Sequence, residues 1–184
     1  PVTKTLRVYT ELRLSVRKIN DNGINQKLSH RRTNTISPEF DALYQRRFIN
    51  YQNNTRSFVV DEGEMLIVCV DEYVKTLQDL VDWKNISGRP TTIVASSMTG
   101  KDEKLKQYLS SYYKDNPELT YVLLVGEHDK LPAHKMNGGR SDNYYGMLEG
   151  DDSYEEVFVG RLSVKDVEDA RNQVNKIIYY ERDI

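Results

Sequence analysis

From residue 64 onward the chain alternates between apolar strand candidates and amphipathic helix candidates. The runs 65–70 and 121–125 are apolar without a polar side, as expected of parallel strands that are covered on both faces. A shorter strand candidate spans 91–95, and apolar residues recur at helical spacing within 74–84 and 105–112. Three strands with two intervening helices predict a three-layer α/β fold built on a mostly parallel sheet.

The same alternation continues to the end of the chain. Short strands are predicted at 144–148 and 157–161, on either side of an acidic segment. Ser163, with Asp166 at the reciprocal position, is predicted to cap a final helix. The apolar face of that helix is formed by Val167, Ala170, Val174, Ile177 and Ile178.

The first 57 residues follow a different pattern. Apolar and polar residues alternate from 4 to 17, which predicts a strand with one solvent-facing side. Ser37, Pro38 and Glu39 are typical of a helix start, with a capping hydroxyl, a proline and an acid in the first turn. The polar segment 52–57 is typical of a linker. We therefore predict a β-strand and a linker helix in front of the α/β unit.

Charge and composition exclude several classes of function. The 26 basic and 28 acidic residues nearly balance and are mixed along the chain, so no nucleic acid partner is expected. No apolar run approaches the roughly 20 residues that a membrane-spanning helix needs, so no membrane span is expected. The chain starts at Pro1 and ends within a predicted helix, which leads us to expect a piece of a longer protein.

Common catalytic signals are missing from the sequence. Cys69 is the single cysteine and lies in the most apolar strand candidate, so we expect a buried, inert thiol. His30, His128 and His134 lack the spacing of a zinc motif, and zinc is not expected. His128 follows a strand, where a loop histidine bonded to its neighbours is the simpler interpretation. No nucleophile elbow, P-loop or dinucleotide-binding glycine motif occurs.

The acidic segment 149–156 offers a different chemistry. Calcium is bound by six to eight oxygen atoms, and a tight turn that contains glycine can supply carboxylates and backbone carbonyls together. Asp152 and Glu156 are well placed for that role. The spacing is not that of an EF-hand loop, so from the residues alone a solvated acidic hairpin turn is an equally good interpretation.

Six segments of the chain are specific enough to be compared with known families: 81–85, 119–126, 141–142, 145–146, 156–161 and 180–182. Taken together, these segments resemble the gingipain-type cysteine endopeptidases of peptidase family C25. Their order and spacing fit that family over residues 64–184.

The resemblance implies a caspase-like catalytic domain in two subdomains. Residues 58–184 would be the first subdomain, and residues 1–57 would be the strand and linker helix at the tail of a pro-segment. The family's catalytic histidine and nucleophilic cysteine belong to the second subdomain, so no catalytic residue is assigned within this chain. The missing second subdomain is the expected partner, and the complete enzyme would act on a protein or peptide substrate.

The resemblance also implies a structural calcium site. Its ligands would be the carboxylates of Asp152 and Glu156 and the backbone carbonyls of Glu149 and Tyr154. A further family ligand is an aspartate after the third strand, where this chain has Glu127.

Family members are made as zymogens that are secreted or held at the bacterial cell surface, and we expect the same here. The bond between Arg56 and Ser57 lies close to the family's maturation site, and an exposed polar linker suits proteolysis. The alternative is a non-catalytic relative in which the α/β layer serves as a binding or assembly module in surface protein secretion.

Overall fold

The computed structural model describes residues 11, 13–15, 17, 35–36, 38–49, 51, 57–58, 63–136, 138–150 and 152–183. The strands are β1 (Thr35–Ile36), β2 (Ser57–Phe58), β3 (Glu64–Cys69), β4 (Thr91–Ala95), β5 (Leu119–Val125), β6 (His134–Met136), β7 (Gly139–Ser141) and β8 (Phe158–Leu162). The helices are α1 (Pro38–Arg47), α2 (Val74–Ile86), α3 (Ser96–Thr99), α4 (Glu103–Asp115) and α5 (Val167–Asp183).

Four parallel strands form the central sheet, in the order β4-β3-β5-β8. Leu109 of α4 shares a buried cluster with Leu66 and Val68 on one face. Ile67 and Cys69 point to the other face, into the cluster formed with α2 and α5. Both faces of β3 are therefore buried, which explains why its sequence has no polar side. The predicted three-layer α/β fold is confirmed.

The predicted strands 65–70, 91–95 and 121–125 correspond to β3, β4 and β5 within two residues at each end. The predicted final helix is also present, but the predicted cap at Ser163 is wrong. That helix, α5, begins at Val167, and the Asp166 carboxylate accepts the N–H of Asp169 at 2.8 Å. Asp166 caps α5 because an acceptor directly before the first turn reaches the free N–H groups there.

The predicted strand at 144–148 is wrong, because the segment contains a 3₁₀ turn at Asn143–Gly146. Tyr145 is fully buried and donates from its hydroxyl to the carbonyl of Pro132 at 2.7 Å. The predicted strand at 157–161 is confirmed as β8, but it pairs in parallel with β5. The acidic segment between them therefore does not close a hairpin. The antiparallel hairpin of this region is β6–β7.

The amino-terminal prediction is confirmed for the helix. Phe40 of α1 stacks on Phe158 of β8, with ring centroids 4.1 Å apart, so α1 packs beside the edge of the sheet. β1 and β2 pair in parallel on either side of α1 in the chain.

The predicted strand at 4–17 falls largely outside the described residues. Those of its residues that are described, 11, 13–15 and 17, do not lie in a strand, and Leu14 is 83% exposed. Alternation gives a strand only where a partner covers the apolar side, and no described residue covers Leu14. No helix in the described part of the chain is long and apolar enough to cross a membrane.

Candidate functional site at the carboxyl edge of the sheet

The carboxyl ends of the parallel strands lie at one edge of the sheet, where open α/β folds bind ligands. Asp71 follows β3 and accepts hydrogen bonds from the Ser96 hydroxyl and the Ser97 N–H, both at 3.1 Å. Hydrogen bonds, above all from Ser97, hold the pKa of Asp71 below its usual value. Asp71 is therefore an anion that ties the end of β3 to the start of α3.

Cys69 also lies at this edge, in an environment that disfavours its thiolate form. Its side chain is fully buried, and burial, helped by the charge of Asp71, raises the pKa of the thiol to about 12. The reactive form of cysteine is the thiolate, which such an environment disfavours. The predicted burial of Cys69 is confirmed.

Arg161 of β8 joins the loops of this edge. Its guanidinium binds Asp142 through two hydrogen bonds of 2.7 Å. The same group donates to the backbone carbonyls of Gly126, at 2.9 Å, and Leu131, at 2.8 Å. These carbonyls flank the loop after β5, so one side chain fixes both ends of that loop. Sequence reasoning placed Arg161 only in a family segment and missed this role.

Within the loop after β5, Glu127 uses its backbone carbonyl to accept the N–H groups of Lys130 and Leu131. Its side chain is exposed, and no hydrogen bond or ion pair joins that side chain to the acidic segment in the described residues. His128 accepts the N–H of Ala133 through Nδ1 at 2.8 Å. His128 is thus a loop histidine bonded to a neighbour, as predicted.

The acidic segment is held together by its own carboxylates. Glu156 is 8% exposed, and its Oε2 accepts the N–H groups of Leu148 at 2.7 Å and Glu149 at 3.0 Å. Asp152 accepts the N–H of Tyr154 through Oδ1 at 2.9 Å. These bonds link Glu149 to Glu156 and Tyr154 to Asp152 within the segment 149–156, which we call the acidic turn.

A half-buried lysine lies beside the acidic turn. Lys106 of α4 donates from Nζ to the backbone carbonyls of Tyr144 and Met147. Burial lowers the pKa of Lys106 to about 8, while the negative charges of Glu156 and Glu103 oppose that shift. Sequence reasoning missed Lys106, because these carbonyls lie 38 and 41 residues away in the chain and no local pattern marks such a contact.

Phe48, the residue directly after helix α1, contacts the acidic turn. The rings of Phe48 and Tyr154 meet edge to face, with centroids 5.4 Å apart. A cavity of about 610 Å³ lies between α1 and the turn. Of the predicted processing residues, Ser57 begins β2, and Arg56 lies outside the described residues.

Comparison with known proteins now identifies the chain. The family model described as Peptidase family C25 matches residues 60–184. This chain belongs to peptidase family C25. Gingipain R2 of Porphyromonas gingivalis is 38% identical over 193 aligned residues, which cover 100% of this chain and 26% of the relative.

Two solved structures of the family also match. The complex of Porphyromonas gingivalis RgpB pro- and mature domains superposes with a TM-score of 0.64 at 37% identity, and covers 66% of this chain and 30% of that one. The crystal structure of the Arg specific cysteine proteinase gingipain R gives a TM-score of 0.63 at 37% identity, with shares of 66% and 29%. The family resemblance and the caspase-like α/β fold are thus confirmed. The C25 chain described here spans about a quarter of its curated relative.

Proposed function

We propose that this chain is the scaffold of a cysteine endopeptidase whose nucleophilic cysteine and catalytic histidine lie in a second subdomain. One observation carries the proposal: a chain of peptidase family C25 holds its single cysteine fully buried, with the pKa of the thiol raised to about 12. A thiol in that state cannot supply the activated nucleophile that covalent peptide cleavage requires.

In the complete enzyme a thiolate attacks the peptide carbonyl, and an imidazole acts as base and then as acid. The residues described here would bind neither proton nor acyl group. Their part is to hold the loops of the sheet edge in place, chiefly through Arg161 and Asp71. The substrate is a protein or peptide, and the site of action is outside the cell or at the bacterial surface.

The test uses the full-length protein with fluorogenic peptides and a thiol alkylator. We expect cleavage that alkylation abolishes, and full activity in a Cys69→Ala variant. A folded Cys69→Ala protein that has lost its activity would contradict the proposal. If the folded protein cleaves no peptide in a broad library, the proposal fails, and a binding or assembly module in surface protein secretion becomes the better interpretation.

We further propose that the acidic turn binds a structural calcium ion. The carboxylates of Asp152 and Glu156 and the carbonyls of Glu149 and Tyr154 are oxygen donors, which suit a hard cation. The burial of Glu156 and the local hydrogen bonds of both carboxylates support this set. Glu127 would be a further ligand. When bound, calcium would neutralise the carboxylates and stiffen the turn.

Thermal melting with calcium and with chelator tests the calcium proposal. We expect calcium to raise the melting temperature of the protein, and a double variant, Asp152→Asn with Glu156→Gln, to lose that response. Glu118→Gln removes an exposed carboxylate from the loop before β5 and should keep the response. An unchanged calcium response in the double variant would refute the site.

Maturation by cleavage between Arg56 and Ser57 is proposed as well, so that the protein is made as a zymogen. The polar composition of 52–57 supports an accessible linker. Amino-terminal sequencing of the mature protein should start at Ser57, and a start well away from that residue would refute the assignment.

A further inference from the structure

A second group of ligand-type side chains lies away from the acidic turn. Asp102 and Glu103, where α4 begins, meet His134 of β6. One nitrogen or oxygen atom of each residue lies within 4.8 Å of those of the other two, and within the described residues this is the one such group of three or more. His134 Nδ1 is 2.6 Å from Asp102 Oδ1 and 3.7 Å from Glu103 Oε1.

These side chains are held by a residue outside the group. The His134 ring stacks on Tyr144, with centroids 3.6 Å apart and planes 17° apart. The Tyr144 hydroxyl donates to Glu103 Oε2 at 2.7 Å, which leaves Glu103 Oε1 turned toward His134. One tyrosine thus orients both an imidazole and a carboxylate, as outer-shell residues do at metal centres.

We propose that Asp102, Glu103 and His134 bind a divalent metal ion of the zinc class, with water at the remaining position. One imidazole nitrogen and two carboxylate oxygens form a donor set that suits zinc and its first-row neighbours, whereas calcium prefers a larger set of oxygens.

The geometry needs only small shifts to hold such an ion. Metal–ligand distances of about 2.0–2.1 Å in a tetrahedron place the ligand atoms about 3.3 Å apart. The 3.7 Å between His134 Nδ1 and Glu103 Oε1 is close to that value. The 2.6 Å between His134 Nδ1 and Asp102 Oδ1 must increase by about 0.7 Å. The side chains of Asp102 and Glu103 are 51% and 61% exposed, so the ion and its water can enter from solvent. Spacing in the sequence did not show the group, because its members come from two separate segments.

Calorimetric titration of zinc chloride into the chelator-treated, dialysed protein tests the proposal. We expect one zinc ion per chain and a fall in affinity of more than about tenfold in His134→Gln. His128→Gln is the matched control, since His128 is an exposed histidine of the preceding loop, and zinc affinity should not change. Asp152→Asn should likewise leave zinc affinity unchanged, which separates this site from the proposed calcium turn.

Two further measurements keep the test independent of folding. Tyr144→Phe retains the ring stacking but loses the hydroxyl donor, and we expect about a tenfold loss of zinc affinity. Cobalt(II) should give visible absorption bands of low-coordinate metal that disappear in Glu103→Gln. Absence of zinc binding, or binding that persists in folded His134→Gln and Glu103→Gln proteins, would overturn the proposal.

Discussion

Replacing Arg161 tests how the carboxyl edge of the sheet is stabilised. The Arg161 side chain is 13% exposed and the Asp142 side chain is 23% exposed, so both charges are largely removed from water. Arg161→Met would leave the Asp142 carboxylate without its cation and the carbonyls of Gly126 and Leu131 without their charged donor. Removing one partner of a buried ion pair costs about 3–5 kcal/mol. We expect Arg161→Met to lower the free energy of unfolding by an amount within that range.

The assay is urea unfolding, followed by the fluorescence of Trp83, the single tryptophan. A double-mutant cycle of Arg161→Met and Asp142→Asn should show a coupling of about 1–3 kcal/mol. Arg182→Met is the control, because Arg182 pairs with Asp183 at the surface with 57% of its side chain exposed. Its loss should destabilise the protein much less than the loss of Arg161.

If Arg161→Met lowers the free energy of unfolding by less than about 1 kcal/mol, the pair of Arg161 and Asp142 contributes no more than an exposed surface ion pair does. Additive effects in the cycle would show that the two side chains act independently. Either result would refute the reasoning that Arg161 fixes the loop after β5. Arg161→Lys adds a geometric check, because lysine keeps the charge but lacks the planar fork that binds a carboxylate through two hydrogen bonds.

Three further predictions concern stability. The pKa of Lys106 is lowered from 10.5 to about 8 in the folded protein, so between about pH 8 and 10.5 only the unfolded chain still holds that proton. The free energy of unfolding should therefore rise with pH over this range. Urea unfolding at several pH values measures this rise, which Lys106→Met should remove. Gly126 has φ +144°, and a Cβ there would lie 2.7 Å from the side chain of Val70, so Gly126→Ala should lower the free energy of unfolding by about 2–3 kcal/mol in urea. Gly88 has φ +92° with no atom within 4 Å of a Cβ, so Gly88→Ala should lower it by about 1 kcal/mol. Leu109→Ala should lower the free energy of unfolding by about 2–5 kcal/mol because Leu109 is fully buried. Ile86→Ala, at an 80% exposed position, should change it by less than about 0.5 kcal/mol. Equal losses in Leu109→Ala and Ile86→Ala would contradict the assignment of the core.

The layers of the fold could be predicted because their signals are local. The apolar run of β3 and the helical spacing of α4 are each contained within a single element, and burial on the sheet simply adds to the preference. The segment 144–148 was different. Its aromatic residues fit a strand, but the strand that pairs with β5 is β8. The side chain of Tyr145 is instead buried, and its hydroxyl donates to the carbonyl of Pro132. Competition between segments for one partner cannot be seen in either segment alone.

The site was predictable only in part, for a related reason. Carboxylates clustered in one short segment singled out Asp152 and Glu156, and each of them accepts backbone N–H groups within or beside that segment. The residues that act over long distances in the chain were missed. Lys106 and Arg161 satisfy backbone carbonyls of irregular segments, and the sequence carries no periodic pattern for such contacts.

One strand connects the two halves of the candidate site. Glu156, two residues before β8, accepts the N–H groups of Leu148 and Glu149. Arg161, within β8, donates to carbonyls at both ends of the loop after β5. Parallel pairing of β8 with β5 fixes the position of the strand along its length, from Phe158 opposite Tyr121 onward. A register shift of one residue would turn Arg161 to the other face of the sheet, so the register of β8 keeps Arg161 at the loop after β5. The segment 156–161 therefore links these two regions, as the scaffold role proposed above would require.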